Sequence, residues 1–457
     1  MNRRNFLKAS SASLMATSVL SLATALNSKA AFANGDDEYK ALVCVFLYGG
    51  MDNHDTIIPY DQPSYDNWAG IRSALLPNYT NSRARDNLLP LNASAVRFNQ
   101  RQFALPPEMS GLQQLYQQGN MAVMGNVGPM IETTTAAKFN AQTAKIPSRL
   151  FSHNDQQSIW MSGNTEGAQY GWAGQLNDAL INRGLQDTNT FSAITTSGGE
   201  LLLTGKNTTP YHVEGGRAIT MDIIAENDSN FSAHLVGHLS ASDHKVSHLL
   251  QQDLANKINQ SYNANSQYNQ AMDATQSSGF DFPKSYIGQQ LASVAKTINA
   301  RSQLQGKRQI FVVSMGGFDT HSNQAKSLPK LQNDLDQAIS AFQGAMNSMN
   351  MANNVTLFTG SDFGRTLAVN GDGTDHGWAA HHFVVGGAVQ GGQIFGDIPV
   401  SELNHDLDAG SGRLIPTTAV DQYAACFGKW MGLDDSELSS IFPNLVNLGQ
   451  RPELFKS

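Results

Sequence analysis

Residues 42–52 read Leu-Val-Cys-Val-Phe-Leu-Tyr-Gly-Gly-Met-Asp, an apolar run that is closed by two glycines and an aspartate. The run does not alternate between polar and apolar residues, which is typical of a strand buried on both faces in a parallel sheet covered by helices. Asp52 would then follow the carboxyl end of the strand, where open α/β sheets bind their ligands.

The same pattern occurs twice more. Residues 310–319 read Ile-Phe-Val-Val-Ser-Met-Gly-Gly-Phe-Asp, and residues 355–362 read Val-Thr-Leu-Phe-Thr-Gly-Ser-Asp. Between them an apolar stripe predicts a helix with Pro329 in its first turn. Strand, helix and strand in this order predict a right-handed crossover. We therefore predict a doubly wound, mostly parallel α/β sheet flanked by helices.

The three aspartates that end these runs, Asp52, Asp319 and Asp362, are predicted to meet at one edge of the sheet. Like charges held together repel, and a bound cation is the usual way to offset that repulsion. His321 follows Asp319 by two residues and can point into the same crevice. Each aspartate taken singly could instead cap a helix or hold a turn. Together they favour a metal site.

Acids, histidines and glycines are concentrated in residues 371–382, which include His376 and His381. This cluster follows the third strand–aspartate unit, which favours further metal ligands, although an exposed loop with a structural His–Asp pair explains it equally well. Carboxylate and imidazole ligands together favour zinc. Magnesium, manganese and calcium remain open as alternatives.

A candidate nucleophile lies at the start of a predicted helix, in Ser152-His153-Asn154-Asp155. The simplest interpretation is a helix cap. A serine at a helix N-terminus is also where an attacking oxygen and an anionic ester would both be stabilised. Ser152 is therefore the candidate nucleophile and Ser148 a second one. His153 is a candidate for substrate contact, for a metal ligand or for a neighbour of the ligands.

Residues 1–33 predict a twin-arginine signal peptide, with Arg3-Arg4 before a weakly apolar stretch and Ala31-Phe32-Ala33 at its end. A Sec signal or a weak anchor would be alternatives, but serine and threonine interrupt the apolar stretch. The sequence thus predicts a periplasmic or secreted protein with no transmembrane anchor after signal removal. The signal carries four basic residues and no acidic one, so its removal makes the net charge four units more negative than −8.

An acidic chain of this kind is a poor candidate for nucleic-acid binding, which needs a basic face. No feature predicts a protein partner. Residues 34–457 are predicted to form one α/β domain with insertions at 77–103, as a long loop, and at 205–300, as polar helices. Cys44 and Cys426 are predicted to be buried free thiols.

Taken in order, several short motifs resemble those of the domain-of-unknown-function 1501 family. They are Gly-Gly-Met-Asp (49–52), Ser152-His153 with Gln156, Gly171-Trp172, Gly-Gly-Phe-Asp-Thr-His (316–321), Ser-Asp-Phe-Gly-Arg-Thr (361–366), Asp-His-Gly-Trp (375–378) and Gly386-Gly387. The family is placed in the alkaline phosphatase and sulfatase superfamily, whose members are expected to have a two-metal site that transfers phosphoryl or sulfuryl groups. Its proteins are secreted, often with twin-arginine signals.

The resemblance also implies roles for individual residues. Asp52 and Asp362 would belong to one metal site, and Asp319 with His321 to the other. His376, or else His381, would be the late histidine ligand, and Ser152 the nucleophile.

One position departs from the superfamily pattern, because Phe363 stands where a histidine usually follows the third aspartate. Arg365 is then a candidate for bidentate contact with an anionic group. The sequence favours a metal-dependent hydrolase acting on a small phosphate or sulfate ester or an anionic glycan. The alternative is a non-catalytic envelope protein that binds a metal, an anionic glycan or a partner at the same site.

Overall fold

The computed structural model describes residues 39–186, 190–219, 249–275 and 279–456. The chain divides into two units, residues 1–40 and residues 41–457, and the fold below is that of the second unit. The predicted signal peptide at residues 1–33 lies outside the described residues.

The strands of the described part are short to medium in length. They are β1 (Lys40–Leu47), β2 (Ile58–Pro59), β3 (Leu89–Leu91), β4 (Phe103–Leu105), β5 (Met121–Gly128), β6 (Ala193–Thr195), β7 (Tyr211–Glu214), β8 (Arg217–Ala218), β9 (Arg308–Met315), β10 (Val355–Ser361), β11 (Arg365–Val369), β12 (Thr374–His376), β13 (Ala380–Val385), β14 (Ile394–Gly396) and β15 (Thr418–Ala419).

The helices alternate with these strands along much of the chain. They are α1 (Gln62–Ile71), α2 (Ser110–Gln117), α3 (Ala136–Asn140), α4 (His153–Ser162), α5 (Trp172–Asn182), α6 (Glu200–Leu203), α7 (Leu249–Ala274), α8 (Tyr286–Asn299), α9 (Gln324–Ser348), α10 (Val420–Met431) and α11 (Asp435–Ile441). Short 3-10 helices occur at Asn53–Asp55, Leu76–Asn78, Arg85–Asn87, Ala95–Phe98, Pro107–Met109 and Pro443–Asn447.

One large sheet organises the fold. Its strand order is β14-β5-β13-β10-β1-β9-β6-β7-β8, with β15 paired to β5. Strand β1 is parallel to β10, and β6 is parallel to both β9 and β7. Strand β13 runs antiparallel to β10 and to β5. The predicted α/β fold with a mostly parallel sheet flanked by helices is confirmed.

The central strand β1 is covered on both faces. Every residue from Ala41 to Leu47 is fully buried. On one face Leu42, Cys44 and Phe46 join a core with residues of α4, α5 and α10. Burial of each large apolar side chain contributes about 1.5–3 kcal/mol, so the apolar runs themselves explain why the sheet lies in the centre.

The two predicted insertions contain regular structure in their described parts. Residues 77–103 include β3, which joins β2 and β4 in a small antiparallel sheet. Residues 205–300 include β7, β8, α7 and α8, and residues 220–248 and 276–278 of this stretch lie outside the described part. Cys44 and Cys426 are both buried and free, as predicted. None of the described helices is both long enough and apolar enough to span a membrane.

The prediction that Pro329 lies in the first turn of its helix is wrong. Helix α9 begins five residues earlier, at Gln324, and Pro329 lies inside it. Asn323 adopts a left-handed conformation before the helix, and its N–H donates to Asp372 Oδ2 at 3.0 Å. This contact from a distant loop sets the helix start, and local sequence signals do not reveal it.

Candidate metal centre

The carboxyl ends of β10, β1 and β9 meet because these strands are neighbours in the sheet. The Tyr48 N–H donates to the Met315 carbonyl at 2.8 Å, and the Met51 N–H donates to Ser361 Oγ at 3.0 Å. Two glycines make this approach possible. A Cβ on Gly49 would lie 2.4 Å from the Asp319 nitrogen, and one on Gly50 would lie 2.5 Å from the Phe363 ring. Both glycines also have positive φ, +113° and +89°, which other residues rarely adopt.

His153 is the first residue of α4, and it faces the aspartate that follows β10. Its Nδ1 lies 2.7 Å from Asp362 Oδ2. A carboxylate accepts hydrogen bonds, so Nδ1 carries the proton, and this bond raises the pKa of His153 above its ordinary value. Asp362 is fully buried and its Oδ2 also accepts from Gln157 Nε2 at 2.8 Å. The Nε2 of neutral His153 therefore carries a lone pair.

His376, at the end of β12, is held in the same tautomer by a backbone group. Its Nδ1 lies 2.8 Å from the Phe151 carbonyl oxygen, which can only accept. Its ring stacks on Phe363 with centroids 4.6 Å apart. Burial lowers the pKa of His376, which favours the neutral form with a lone pair on Nε2.

His321 contributes a third imidazole from the loop after β9. Its Nδ1 lies 3.3 Å from Asp375 Oδ1. Its Nε2 lies 2.8 Å from His376 Nε2 and 3.1 Å from Asp319 Oδ1. His153, the first residue of α4, is thus joined by two other histidines whose Nε2 atoms face one carboxylate.

Asp319 is the carboxylate that these histidines share. Its Oδ1 lies 3.2 Å from His376 Nε2, and its Oδ2 lies 3.5 Å from His153 Nε2. Arg365 Nη1 donates to Asp319 Oδ1 at 2.8 Å. Burial alone would raise the pKa of Asp319, but the hydrogen bond and charge of Arg365 outweigh it and hold the pKa below its ordinary value. Asp319 is therefore an anion at neutral pH.

These donors fit a divalent metal ion. Ligand atoms of His153, Asp319 and His376 lie within 4.8 Å of one another, and His321 contacts two of the three. The Nε2 atoms of His321 and His376 lie 2.8 Å apart, so either a shared proton or a common cation would satisfy both. Three imidazole nitrogens and a carboxylate, each imidazole oriented through Nδ1 by an oxygen, form a donor set typical of zinc sites.

Asp52 does not belong to this cluster. It is 1% exposed, and its carboxylate accepts from Arg72 Nη1 at 2.5 Å, from Arg72 Nη2 at 3.1 Å and from Gln324 Nε2 at 2.6 Å. Burial would raise the pKa of Asp52, but the charge and hydrogen bonds of Arg72 lower it. Asp52 therefore lies in a buried ion pair with Arg72, outside the cluster of histidines around Asp319, and its role as a metal ligand stays a prediction from the sequence.

Two further predicted ligands have other contacts. Asp362 orients His153, although its Oδ1 is buried without a hydrogen-bond partner in the described part of the chain. His381 lies in β13 and is 3% exposed. Its Nδ1 accepts from the Asn126 backbone N–H at 2.9 Å, so it is directed towards β5 and away from the metal-binding group. The role of His381 as a ligand stays a prediction from the sequence, and its Nδ1 is already occupied by this backbone contact.

The guanidinium of Arg365 does not present a free fork for a substrate anion. Besides Asp319, Nη1 donates to the Gly49 carbonyl at 3.1 Å, Nε donates to Thr374 Oγ1 at 3.3 Å, and Nη2 donates to the Thr374 carbonyl. The side chain is fully buried. Arg365 therefore positions Asp319, and its predicted bidentate contact with an anion would require some of these hydrogen bonds to break.

Ser152 precedes His153 and has no capping hydrogen bond to a helix amide. Its Oγ donates to Asp155 Oδ2 at 2.9 Å, and Asp155 is buried. The expected simple cap is therefore absent, and a serine–carboxylate pair is found in its place. Phe363, at the position where a histidine was expected, lies under the rings of His153 and His376.

The sequence interpretation missed the residues that hold the cluster in place. Arg72 follows the last residue of α1 and belongs to no recognisable motif. The Phe151 carbonyl is a backbone group, which the sequence does not mark. Asp375 lies next to His376 in the Asp-His-Gly-Trp motif, and this position was a signal that Asp375 belongs near the site. Its contact with His321 depends on the pairing of β12 with β11.

The family model described as "Protein of unknown function (DUF1501)" matches residues 39–442. No curated protein matches the chain. Among solved structures, the PsFucS1 sulfatase from Pseudoalteromonas sp. is 9% identical, with a TM-score of 0.36 over 94% of this chain and 75% of that one. The lipoteichoic acid synthase LtaP from Listeria monocytogenes is 7% identical, with a TM-score of 0.35 over 89% and 76%. The alkaline phosphatase PafA is 12% identical, with a TM-score of 0.27 over 72% and 63%.

Proposed function

The chain belongs to the DUF1501 family of proteins of unknown function, and from that premise we propose that it is an exported, metal-dependent hydrolase of phosphate or sulfate esters. The proposed ligands are His153, Asp319, His321 and His376. The observation that carries the proposal is the convergence of three imidazole Nε2 atoms on the Asp319 carboxylate. Zinc is the favoured metal because it takes nitrogen and oxygen ligands together.

The residues around the cluster have distinct proposed tasks. Asp362, Asp375 and the Phe151 carbonyl fix the tautomers of the three histidines through Nδ1. Arg365 holds Asp319 in its ionised form. A bound zinc ion would supply a Lewis acid that polarises an ester oxygen.

Ser152 is the proposed nucleophile. It lies immediately before a metal-binding histidine and at the N-terminus of α4, where an anionic group is stabilised by free amides and the helix dipole. Asp155 Oδ2, 2.9 Å from Ser152 Oγ, is positioned to accept the hydroxyl proton. Attack by the serine oxygen on the phosphorus or sulfur atom would pass the hydroxyl proton to Asp155, form a serine ester and break the bond to the substrate's alcohol oxygen, which leaves and takes up a proton. Water would then hydrolyse the serine ester, releasing phosphate or sulfate and returning the proton to Ser152.

A non-catalytic role at the same metal centre is the second candidate. It is favoured by Arg365, whose donors are taken up by Asp319, Gly49 and Thr374 and which leaves no fork for a substrate anion. In that case the protein would bind a metal ion, and through it an anionic glycan or a partner, without turning the ligand over.

Elemental analysis of the purified mature protein, joined to assays with p-nitrophenyl phosphate and p-nitrophenyl sulfate, tests both candidates. The hydrolase proposal expects about one zinc per chain and turnover of at least one ester, which Ser152→Ala abolishes while zinc is retained. A protein that holds no metal after incubation with zinc would overturn both candidates. Zinc binding without turnover would favour the second candidate.

The ligand assignment has its own test. Asp319→Ala and His321→Ala should each lower the zinc content, whereas His212→Ala, a change of an exposed histidine near Glu200, should leave it unchanged. Unchanged zinc content in both ligand variants would show that the metal binds elsewhere.

Export is proposed from residues 1–33 alone. Replacement of both Arg3 and Arg4 by lysine should retain the precursor inside the cell, as immunoblots of cell fractions would detect. Normal export of the double variant would rule out the twin-arginine route.

A further inference from the structure

A second concave site lies at the other end of α4 from the metal centre. A cavity of about 440 Å³ opens between the end of α4, the start of α10 and the loop after α11. An adjoining cavity of about 180 Å³ shares Ile131, Ile159, Asp421 and Asn444 with it. We call the two together the Asp421 groove. Ile159 follows His153 by six residues, so the groove begins about 9 Å along the helix axis from the proposed metal ligand.

The charge of the groove is set by one side chain. Asp421 is the only ionisable residue among those described as lining the two cavities. Its described hydrogen-bond partner is the neutral carboxamide of Asn444, and burial raises its pKa to about 6. At neutral pH the groove therefore holds a carboxylate, and no cationic side chain is among the described residues that line it. A carboxylate removed from water gains most from a cationic partner.

The walls of the groove are apolar and aromatic. Ile131, Ile159, Val420 and Phe442 supply hydrocarbon surface, and Trp160 lies among the lining residues. The indole N–H of Trp160 is buried and has no acceptor within the described part of the chain. Concave sites with apolar walls and a few polar groups are where small molecules bind.

We propose that the Asp421 groove binds a small organic amine, with the ammonium group on the Asp421 carboxylate and the hydrocarbon part against Ile131, Ile159 and Val420. Charge complementarity selects the occupant, because an anion would be repelled and a neutral molecule would leave the half-buried carboxylate without a cationic partner. The amide oxygens of Asn164 and Asn444 can accept further hydrogen bonds from the ammonium group. This site is separate from the metal centre and does not depend on the proposed hydrolase activity.

A matched pair of probes tests the proposal. n-Hexylamine and n-hexanol have the same hydrocarbon chain and differ in charge, and their binding to the mature protein can be measured by saturation-transfer NMR and titration calorimetry. The amine is expected to bind at least about tenfold more tightly than the alcohol, because a single hydrogen bond between charged groups contributes that difference in affinity. Asp421→Asn should remove this preference, and Asp86→Asn, a change of an exposed aspartate, should leave it intact.

Two further measurements distinguish hexylamine binding in the Asp421 groove from binding at the metal centre and from nonspecific hydrophobic binding. Hexylamine affinity should persist in the His321→Ala variant, whose proposed metal site is damaged. It should fall as the pH drops below about 6, where Asp421 becomes protonated while the amine keeps its charge. Absence of hexylamine binding, equal affinity for amine and alcohol, or full binding by Asp421→Asn would each overturn the proposal.

Discussion

The Nδ1 atom of His153 lies 2.7 Å from the Oδ2 atom of Asp362, a fully buried aspartate at the end of β10. This contact links Asp362, a metal ligand predicted from the sequence, to His153, a proposed metal ligand. Asp362 could orient His153 or could bind the metal itself. An isosteric change of Asp362 tests which role it has, because loss of an orienting residue weakens metal binding less than loss of a ligand.

Asp362→Asn should weaken zinc binding by about 10–100-fold without abolishing it, because loss of an orienting carboxylate typically has that effect. Loss of a direct ligand, as in Asp319→Ala, should reduce binding further. Competition with a chromophoric chelator measures both affinities. Asp86→Asn serves as the control. An Asp362→Asn variant that binds no zinc would restore Asp362 to the ligand set.

The second prediction concerns Phe151, whose carbonyl oxygen accepts from His376 Nδ1. Phe151 has φ +71°, a conformation that is rare for a bulky residue, and its N–H donates to Gln156 Oε1. Phe151→Val should weaken zinc binding by up to about tenfold, because a β-branched residue resists this conformation by about 1–3 kcal/mol. Phe151→Gly keeps the carbonyl and adopts positive φ freely, so it should bind zinc within about twofold of the parent. Equal losses in the two variants would mean that the ring, which Arg413 covers at 5.3 Å, matters more than the carbonyl.

Sequence and structure agree most closely where short-range patterns determine the outcome. The runs that became β1, β9 and β10 lack a regular alternation of polar and apolar residues, which predicts burial on both faces, and all of their residues except Lys40 are buried. The order of the strands then brings Asp319, His321 and His376 together. Asp319 and His321 follow β9, and His376 lies in β12, which pairs with β11 just after β10. Strands β9 and β10 are the two neighbours of β1 in the sheet.

The remaining disagreements arise from contacts between distant segments. Asp52 satisfies the same strand–glycine–aspartate pattern as Asp319, but Arg72 and Gln324 enclose its buried carboxylate, whereas the carboxylate of Asp319 is 44% exposed and faces the histidines. The motif around Arg365 predicts an anion binder, and it does not reveal that Asp319, 46 residues away, shares the donors of Arg365 with Gly49 and Thr374. His153 gained its role through Asp362, 209 residues away, a separation that no local spacing can encode.

A third prediction tests the glycine pair that lets the strand ends approach. Gly50→Ala places a Cβ 2.5 Å from the Phe363 ring at a φ of +89°. Gly119→Ala is the matched control, because Gly119 has a φ of +73° but no atom within 4 Å of the added Cβ. The control should lower the free energy of unfolding by about 1–2 kcal/mol through backbone strain alone. Gly50→Ala should lower it by about 1–3 kcal/mol more through the clash, as urea denaturation would measure. Equal losses would show that Phe363 moves aside freely.

The last prediction concerns the stability contributed by Asp421 as the pH changes. Burial raises the pKa of this carboxyl from 3.8 to about 6 in the folded protein, so the folded state binds the proton more tightly than the unfolded state. The resulting penalty is absent below about pH 4, grows between about pH 4 and 6, and is fully present above that range. Asp421→Asn removes the charge at nearly constant shape. It should therefore raise the free energy of unfolding by about 1–3 kcal/mol at pH near 7.5 and by little at pH near 4. Urea denaturation at both pH values measures the difference, with Asp86→Asn as the exposed control. A gain of equal size at the two pH values would show that the carboxyl is solvated in the folded state, and the charge argument for the Asp421 groove would fall with it.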